Sequence, residues 1–356
     1  MVKINKKMKN GSIRDYEPII KEKIIKILKD ISFLKIEVEQ PIDFGPDTLL
    51  KVNEGFNSYN IIIETKSSGE PRYIRSAIEQ LRRYLSQYKN GYGLIAMPYI
   101  TNDSAQICKE NDVGYVDNAG NCFIAFNKIY IERTNYPNPN IEKRMLRSIF
   151  SNKASRILRV VLCNPKRLWK VQDLSKEADV SIGLAFKAKE RLLDLEYAKE
   201  DQKYLKLARP QELLTNWAEK YSFRQNRIYD FFSSRNIREI ENELSKYCRD
   251  KNIGYALTLF SGAALVAPFA RYIRGFAYVK NNIEEIAKAL ELRKVESGAN
   301  FTLIEPYDEG VFYGSREIDN TTVVGDIQLY LDLVSYKGRG EESAQFLFEQ
   351  KIKPQW

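Results

Sequence analysis

The sequence predicts an α/β protein of several domains, and three observations support this fold class. Short apolar runs typical of strands alternate with amphipathic helical segments over most of the chain. The stretch from Asn135 to Asn140, with two prolines, has the composition of a linker. At 356 residues the chain exceeds the usual size of one domain. We therefore expect three parts, at residues 1–137, 141–210 and 222–356.

The composition excludes several classes of enzyme. The chain contains no histidine, which excludes Ser-His-Asp hydrolases, HNH and HD phosphodiesterases, and zinc enzymes with His ligands. Its four cysteines include no Cys-x-x-Cys pair, so we expect neither a zinc site nor disulfides and favour a reducing cytoplasm. No apolar run is long enough to cross a bilayer, and the Lys-rich start lacks the apolar core of a signal peptide.

The strongest chemical signal lies in residues 46–66. Two short apolar runs flank a polar turn that contains Gly55, which predicts a β-hairpin. Asp47 opens the first strand, and Glu64 and Lys66 close the second, so all three lie at one end of the hairpin. Because side chains alternate along a strand, Glu64 and Lys66 point to the same face. We therefore expect these three side chains to meet at one end of a sheet.

Two carboxylates and a lysine suit the hydrolysis of phosphodiester bonds. Mg²⁺, or Mn²⁺ in its place, prefers oxygen ligands, so Asp47 and Glu64 are the expected metal ligands. Such a metal polarises a phosphoryl oxygen and acidifies a bound water, while Lys66 orients that water or offsets developing negative charge. The alternative is a solvated strand, where charged residues in this pattern are common.

These residues resemble the PD-(D/E)xK nuclease superfamily, whose two signature elements match Pro46-Asp47 and Glu64-Thr65-Lys66. A predicted helix downstream carries Gln80 and Tyr84 as Gln-x-x-x-Tyr, which is similar to the extra motif of the RecB-like branch. The resemblance implies a restriction-endonuclease-like core in which Gln80 and Tyr84 help to position the lysine and the nucleic acid. The catalytic residues that it implies are Asp47, Glu64, Lys66, Gln80 and Tyr84.

Periodicity in the first part independently predicts the order α-β-β-β-α-β. In the stretch from Asp117 to Asn121, turn-forming residues separate two strands, and we favour a tight hairpin over a contact with DNA. Outside the hairpin and the Gln80 helix, the predicted elements are a helix at 15–30, strands at 33–40 and 92–97, a helix at 103–111, and strands at 113–116 and 122–126.

Residues 141–210 predict three helices and a two-stranded wing. The helices are expected at 154–163, at 171–178, and from a cap at Ser181 to about Leu195, with the wing at 197–207. This order is typical of a winged helix-turn-helix. The stretch contains 17 Lys and Arg against 9 Asp and Glu. Helix-turn-helix units also bind proteins, but this excess of positive charge favours double-stranded DNA.

The candidate DNA-binding residues fall into two groups. Outward positions at the third helix are expected in the major groove: Ser181, Phe186, Lys187 and Lys189. Basic residues without a rigid position are expected on phosphates, where they give affinity without sequence readout: Lys153, Arg156, Lys166, Arg167 and Lys170.

From Ser222 the composition changes to an α+β mixture, which contains the motifs Phe260-Ser261-Gly262-Ala263-Ala264, Gly310-Val311-Phe312-Tyr313 and Gln328-Leu329-Tyr330-Leu331-Asp332-Leu333. Through these residues the winged helix and everything after it resemble the AbiEi family of type IV toxin–antitoxin antitoxins. The resemblance implies operator binding and a nucleotidyltransferase-type toxin or another defence partner. Ser261-Gly262 would also suit a nucleotidyltransferase, but no Asp-x-Asp motif follows, so we favour a binding or scaffolding role for this domain.

Two functions follow from the sequence. In the first, the protein is a Mg²⁺-dependent DNA endonuclease whose winged helix holds the substrate. In the second, it is a non-enzymatic antitoxin or transcriptional regulator that uses the nuclease fold only to bind DNA. A pure binding function would not require Asp47, Glu64 and Lys66 together, and this favours the first. We expect no membrane association and leave a homodimer open.

Overall fold

The protein is described by a computed structural model covering residues 13–39, 45–139, 149–269, 271–336 and 338–356. It has a mixed α/β fold with two compact units, Met1–Arg144 and Met145–Trp356. Four predictions fall partly outside these residues: the Lys-rich start, the last residue of the opening strand, Gln40, the last residue of the linker, Asn140, and the first residues of the predicted winged helix, 141–148. Within the described ranges, no helix is long and apolar enough to span a membrane.

The first unit is built on one seven-stranded sheet whose strands lie side by side in chain order. Strands β3, β4 and β5 pair in parallel, and all the other pairs are antiparallel. The elements are α1 (Ile13–Lys29), β1 (Leu34–Glu39), β2 (Thr48–Glu54), β3 (Asn57–Thr65), α2 (Pro71–Leu85), β4 (Gly91–Met97), α3 (Asn102–Glu110), β5 (Gly114–Asp117), β6 (Cys122–Phe126) and β7 (Ile129–Arg133).

Both faces of this sheet are buried, which explains the continuous apolar runs in its central strands. Leu50 and Ile61 face α1 and pack with its buried Ile24. Their neighbours Leu49 and Ile62 face the opposite way and pack against α2. The 46–66 hairpin is confirmed, because β2 and β3 pair in antiparallel register around Gly55, whose φ is +59°.

The Asp117–Asn121 stretch is the turn that the sequence predicts. The Asp117 carboxylate is buried and accepts hydrogen bonds from the backbone N–H groups of Gly120 and Asn121, both at 2.8 Å. The carboxylate is thus fully engaged in closing the turn between β5 and β6. The following strand β7 is an element that the sequence analysis missed.

The second unit begins with helices at the three predicted positions, the third being α6 (Ile182–Asp194), and with a two-stranded hairpin that we call the wing. Helix α6 has its N-cap at Ser181, whose hydroxyl accepts a hydrogen bond from the Leu184 N–H at 3.3 Å, as the sequence predicts. The wing strands pair in antiparallel register. The elements are α4 (Asn152–Cys163), α5 (Val171–Glu177), α6 (Ile182–Asp194), β8 (Ala198–Asp201), β9 (Tyr204–Leu207) and α7 (Pro210–Ala218).

A second seven-stranded sheet follows, with the order β13-β10-β14-β12-β11-β16-β15. One continuous apolar core joins it to helices α4–α7, running from Ile149 to Ile352. The elements are β10 (Arg227–Phe232), α8 (Ile237–Asp250), β11 (Tyr255–Leu257), α9 (Leu259–Val266), β12 (Gly275–Val279), α10 (Ile283–Ala289), β13 (Arg293–Lys294), β14 (Phe301–Glu305), β15 (Arg316–Ile318), β16 (Thr321–Val323), α11 (Asp326–Val334) and α12 (Arg339–Leu347), with short helical turns at Phe223–Gln225, Glu309–Phe312, Phe348–Ile352 and Lys353–Gln355.

Candidate functional site

The β2–β3 hairpin brings Asp47 next to the end of β3. Thr48 pairs with Ile63, so Asp47, one residue earlier, lies level with Glu64. The Asp47 carboxylate accepts a hydrogen bond from the Thr65 N–H at 2.7 Å and remains exposed. The predicted meeting of the two carboxylates therefore follows directly from the register of the hairpin.

Glu64 is buried with one carboxylate oxygen unpaired. Its Oε2 accepts a hydrogen bond from Lys66 Nζ at 3.1 Å, whereas Oε1 has no hydrogen-bond partner within the described part of the chain. Burial raises the pKa of the Glu64 carboxyl above its usual range, and the charge of Asp47 raises it further, while Lys66 opposes both. A buried unpaired oxygen is costly, and a bound cation would relieve that cost.

Helix α2 contributes two further side chains to this site from one of its faces. Residues four apart lie on the same side of a helix, and Gln80 and Tyr84 both point toward the hairpin end. Gln80 Oε1 accepts a hydrogen bond from Lys66 Nζ at 2.7 Å. The Tyr84 hydroxyl donates to the Gly45 carbonyl at 3.2 Å, just before Asp47. The structure thus gathers all five predicted residues, with Gln80 holding the lysine and Tyr84 holding the loop.

The donor set fits a hard divalent cation. The described ranges contain no group of three or more His, Cys, Asp or Glu side chains that could hold a metal. At this site the protein ligands would be two carboxylates, those of Asp47 and Glu64. Mg²⁺ is commonly bound through one or two carboxylates and keeps several waters. Two carboxylates, one with an unpaired oxygen, meet that requirement.

Helix α6 presents a second candidate surface, with one correction to the sequence analysis. Phe186 is 52% exposed and Lys187 is also exposed, as predicted. Lys189 is not an outward position: it is 8% exposed, and its Nζ lies 2.6 Å from Glu200 Oε1 on the wing. Ile182, which is 58% exposed, shares the outer surface and is absent from the predicted DNA-binding residues.

The basic residues differ in their freedom to bind phosphate. Lys153, Lys166 and Lys170 are exposed, and Arg167 is exposed with its guanidinium stacked 3.9 Å from the Trp169 ring centroid. These four side chains remain accessible to a polyanion.

Arg156 has a different environment from the other basic residues. Its side chain is 18% exposed, with Nη1 2.7 Å from Asp179 Oδ2 and Nε 2.8 Å from Asp308 Oδ1. Two carboxylates already neutralise this guanidinium, so its predicted role on phosphate competes with a structural one. Asp179 lies between α5 and α6, and Asp308 lies in the C-terminal region, so Arg156 joins these two segments.

We call Asp308–Tyr313 the 308–313 turn; it contains one of the motifs noted in the sequence. The Tyr313 hydroxyl donates to Glu177 Oε1 at 2.9 Å, at the end of α5. A Cβ on Gly310 would lie 2.8 Å from Arg156 Cγ, so only glycine permits this close approach. The motif therefore packs the C-terminal region against the α5–α6 segment, and this explains why a glycine occurs there.

A buried polar network forms a second connection to α4. The fully buried Arg159 donates to Gln328 Oε1 through Nη2 at 2.6 Å, and its guanidinium lies over the Trp217 ring. Gln328 Nε2 donates to Asp332 Oδ1 at 2.9 Å, and the Tyr221 hydroxyl donates to the same oxygen at 2.6 Å. Burial raises the pKa of Asp332 to about 6, although these hydrogen bonds stabilise the carboxylate and so lower the pKa.

Ser261, which would suit a nucleotidyltransferase, and two carboxylates in the same region have partners within the protein. Ser261 is fully buried and accepts a hydrogen bond from the Phe276 N–H at 2.9 Å. The carboxylate of Glu309 pairs with Lys280 at 2.8 Å, and that of Asp326 pairs with Arg316 at 2.6 Å. These contacts stabilise the C-terminal region, and its binding or scaffolding role stays a prediction.

Comparison with known families supports the resemblance of the C-terminal region. Residues 206–353 match the family described as "Transcriptional regulator, AbiEi antitoxin, Type IV TA system". The match covers less than half of the chain and begins in β9, so helices α4–α6 and the first unit lie outside it. No curated protein and no solved structure matches the chain. The C-terminal region is thus similar to an antitoxin family of transcriptional regulators.

Proposed function

We propose that the protein is a DNA-binding transcriptional regulator and antitoxin of the AbiEi type. The observation that carries this proposal is the match of residues 206–353 to that family. The matched region packs against α4 and the α5–α6 segment, so the part with antitoxin similarity and the proposed winged helix share one core. The family description also implies a cognate toxin, and we propose a nucleotidyltransferase type.

Helix α6 is the proposed DNA-reading element. Its exposed Ile182, Phe186 and Lys187 offer apolar surface for thymine methyl groups and a donor for base edges. Exposed cations on the flanks of the helix-turn-helix would neutralise phosphates, which positions the protein without reading sequence. These cations are Lys153, Lys166, Arg167 and Lys170.

Competition binding between a duplex of the protein's own promoter and a scrambled duplex tests this function. We expect Phe186→Ala and Lys187→Ala to reduce the preference for the promoter by about 1–3 kcal/mol while non-specific affinity survives. Replacing Lys166, Arg167 and Lys170 by alanine should weaken both duplexes and flatten the salt dependence by about 0.9 per lost phosphate contact.

The matched control is Lys351→Ala, an exposed lysine in the C-terminal turn Phe348–Ile352. It should leave both the preference and the salt dependence unchanged. Equal affinity of the wild-type protein for the promoter and the scrambled duplex would rule out the proposal that it is a transcriptional regulator.

A second candidate function is Mg²⁺-dependent DNA hydrolysis by the first unit. The specific observation is the gathering of Asp47, Glu64, Lys66 and Gln80, with the unpaired Oε1 of Glu64. When bound, Mg²⁺ would polarise the scissile phosphate and supply an acidified water. Asp47 and Glu64 would hold the ion, Lys66 would offset developing negative charge, and Gln80 would keep the ammonium group in place.

Nicking of supercoiled plasmid with Mg²⁺, Mn²⁺ or EDTA tests the nuclease. Asp47→Ala should abolish cleavage but leave DNA affinity unchanged or higher, because it removes negative charge near the phosphates. Asp103→Ala, an exposed carboxylate at the start of α3, is the matched control and should cleave like the wild type. Cleavage that persists in Asp47→Ala, or that is insensitive to EDTA, would rule out this site.

A further inference from the structure

A cavity of about 980 Å³ lies over the second sheet, and its lining includes no residue of helix α6. Its floor is formed by β10, β14 and β12, and its walls by the segment after α7 and the ends of α11 and α12. Phe260 of α9 and Tyr336 after α11 both pack against the Phe276 ring on this face, at centroid distances of 6.3 and 5.8 Å. Helix α9 and the residues that follow α11 therefore cover part of this side of the sheet.

Charged residues occupy the floor where a packed core would carry apolar ones. Asp230 of β10 pairs in register with Thr302 of β14, which pairs with Phe276 of β12, so the three side chains share one face. Arg274 immediately precedes β12 and donates through Nε to Thr302 Oγ1 at 2.9 Å and through Nη2 to Asp230 Oδ1. Polar groups on the covered face of a sheet cost desolvation, so packing alone does not explain them.

The group formed by Asp230, Arg274 and Thr302 keeps unused hydrogen-bonding capacity that faces the cavity. Asp230 and Arg274 are 37% and 30% exposed, although both lie on the covered side of the sheet. Among the described residues, Asp230 Oδ2 and Arg274 Nη1 have no hydrogen-bond partner. An acceptor and a donor are thus presented side by side.

The lining of the cavity indicates the chemistry of a ligand. The ring of Tyr336 and the side chain of Ile228, which is 38% exposed, offer apolar surface for a planar group, and the buried Phe276 ring lies beneath them. An adjacent carboxylate oxygen and guanidinium nitrogen complement a nucleobase edge, which carries neighbouring donors and acceptors. Arg224 is exposed on the wall and supplies a cation for phosphate. We propose that this cavity binds a nucleoside phosphate, with its base edge on Asp230 and Arg274 and its phosphate at Arg224.

The same chemistry can come from a free nucleotide or from an unpaired nucleotide of a strand, and titration distinguishes them. The full-length chain is titrated calorimetrically, without duplex DNA, with AMP, GMP, CMP, UMP, the corresponding triphosphates, and single-stranded octamers of each base. Binding of mononucleotides identifies a free nucleotide as the ligand. Binding of octamers alone identifies a strand. Because no promoter DNA is present, failure here leaves the regulator proposal untouched.

Three variants test the assignment of residues. Asp230→Asn and Arg274→Gln should each weaken binding by about tenfold or more, since each removes a hydrogen bond that involves a charge. Arg224→Ala, at an exposed position where folding is not at risk, should weaken triphosphates more than monophosphates. The controls are Asp250→Asn and Arg293→Gln, both exposed and outside the cavity lining. No binding of any nucleotide or octamer at millimolar concentration, or wild-type affinity in all three variants, would overturn the proposal.

Discussion

Replacing Asp308 by asparagine tests the contact between the 308–313 turn and helix α4. Asp308 and Arg156 are 8% and 18% exposed and lie 2.8 Å apart, so the pair is better shielded than a surface salt bridge. Breaking a fully buried pair costs about 3–5 kcal/mol, whereas exposed pairs contribute about 0–1 kcal/mol. Asparagine keeps an acceptor for the Gly310 N–H, and Arg156 keeps Asp179. We therefore expect a loss of about 1–2 kcal/mol.

A double-mutant cycle with Arg156→Gln isolates the pair from the other effects of each substitution. Urea unfolding followed by tryptophan fluorescence is the assay, because all three tryptophans, Trp169, Trp217 and Trp356, lie in the second unit.

The internal control is the cycle between Arg156 and Asp179. The Asp179 side chain is 93% exposed, so its coupling to Arg156 should not exceed about 0.5 kcal/mol. Equal coupling of Arg156 to Asp308 and to Asp179 would refute the argument that the 308–313 turn holds α4.

Three further predictions concern single residues. Glu64→Gln should raise the free energy of unfolding of the first unit at neutral pH by roughly 0.5–1 kcal/mol, because it removes a buried charge with an unpaired oxygen. Urea unfolding followed by circular dichroism measures this change, and a variant less stable than the wild type would contradict the prediction. The pKa of Asp332 is about 6 in the folded protein, against an ordinary value of 3.8, so the fold favours the protonated acid. Protonation of Asp332 therefore stabilises the fold fully below about pH 3.8, and this stabilisation is lost as the pH rises through about 6. This loss amounts to up to about 3 kcal/mol and should be missing from the pH profile of Asp332→Asn, measured by tryptophan fluorescence; identical profiles for both proteins would count against it. Gly310→Ala should lower the free energy of unfolding by about 1–3 kcal/mol, since its Cβ would lie 2.7 Å from Asp308 Oδ1. Gly183→Ala in α6, where nothing lies within 4 Å of the new Cβ, should be neutral or stabilising. Thermal unfolding of both variants decides the point, and a loss of stability at both positions would show that local crowding is not the cause.

The antitoxin and nuclease proposals rest on different halves of the chain. The family match lies within the second unit, and the gathering of Asp47, Glu64 and Lys66 lies within the first. The regulator is the better supported function because a family match carries it. Asp47→Ala and Phe186→Ala test the two proposals separately.

The sequence alone determined the elements whose signal is local. Helix α4 and strand β4 follow from apolar periodicity over a few turns or residues, and the Ser181 cap follows from side-chain chemistry at a helix start. The hairpin also predicted the convergence at Asp47 and Glu64, since pairing around a short turn leaves little freedom of register.

Only the tertiary structure decided features that depend on distant partners. Strand β10 was not predicted, because its partners in β13 and β14 lie 61 to 78 residues further along the chain. The burial of Lys189 depends on the wing carboxylate of Glu200, and the engagement of Arg156 depends on Asp308, 152 residues away. The sequence shows that a lysine or arginine is charged but not which groups surround it. Whether that charge faces solvent or a carboxylate is set by non-local packing, which periodicity does not encode.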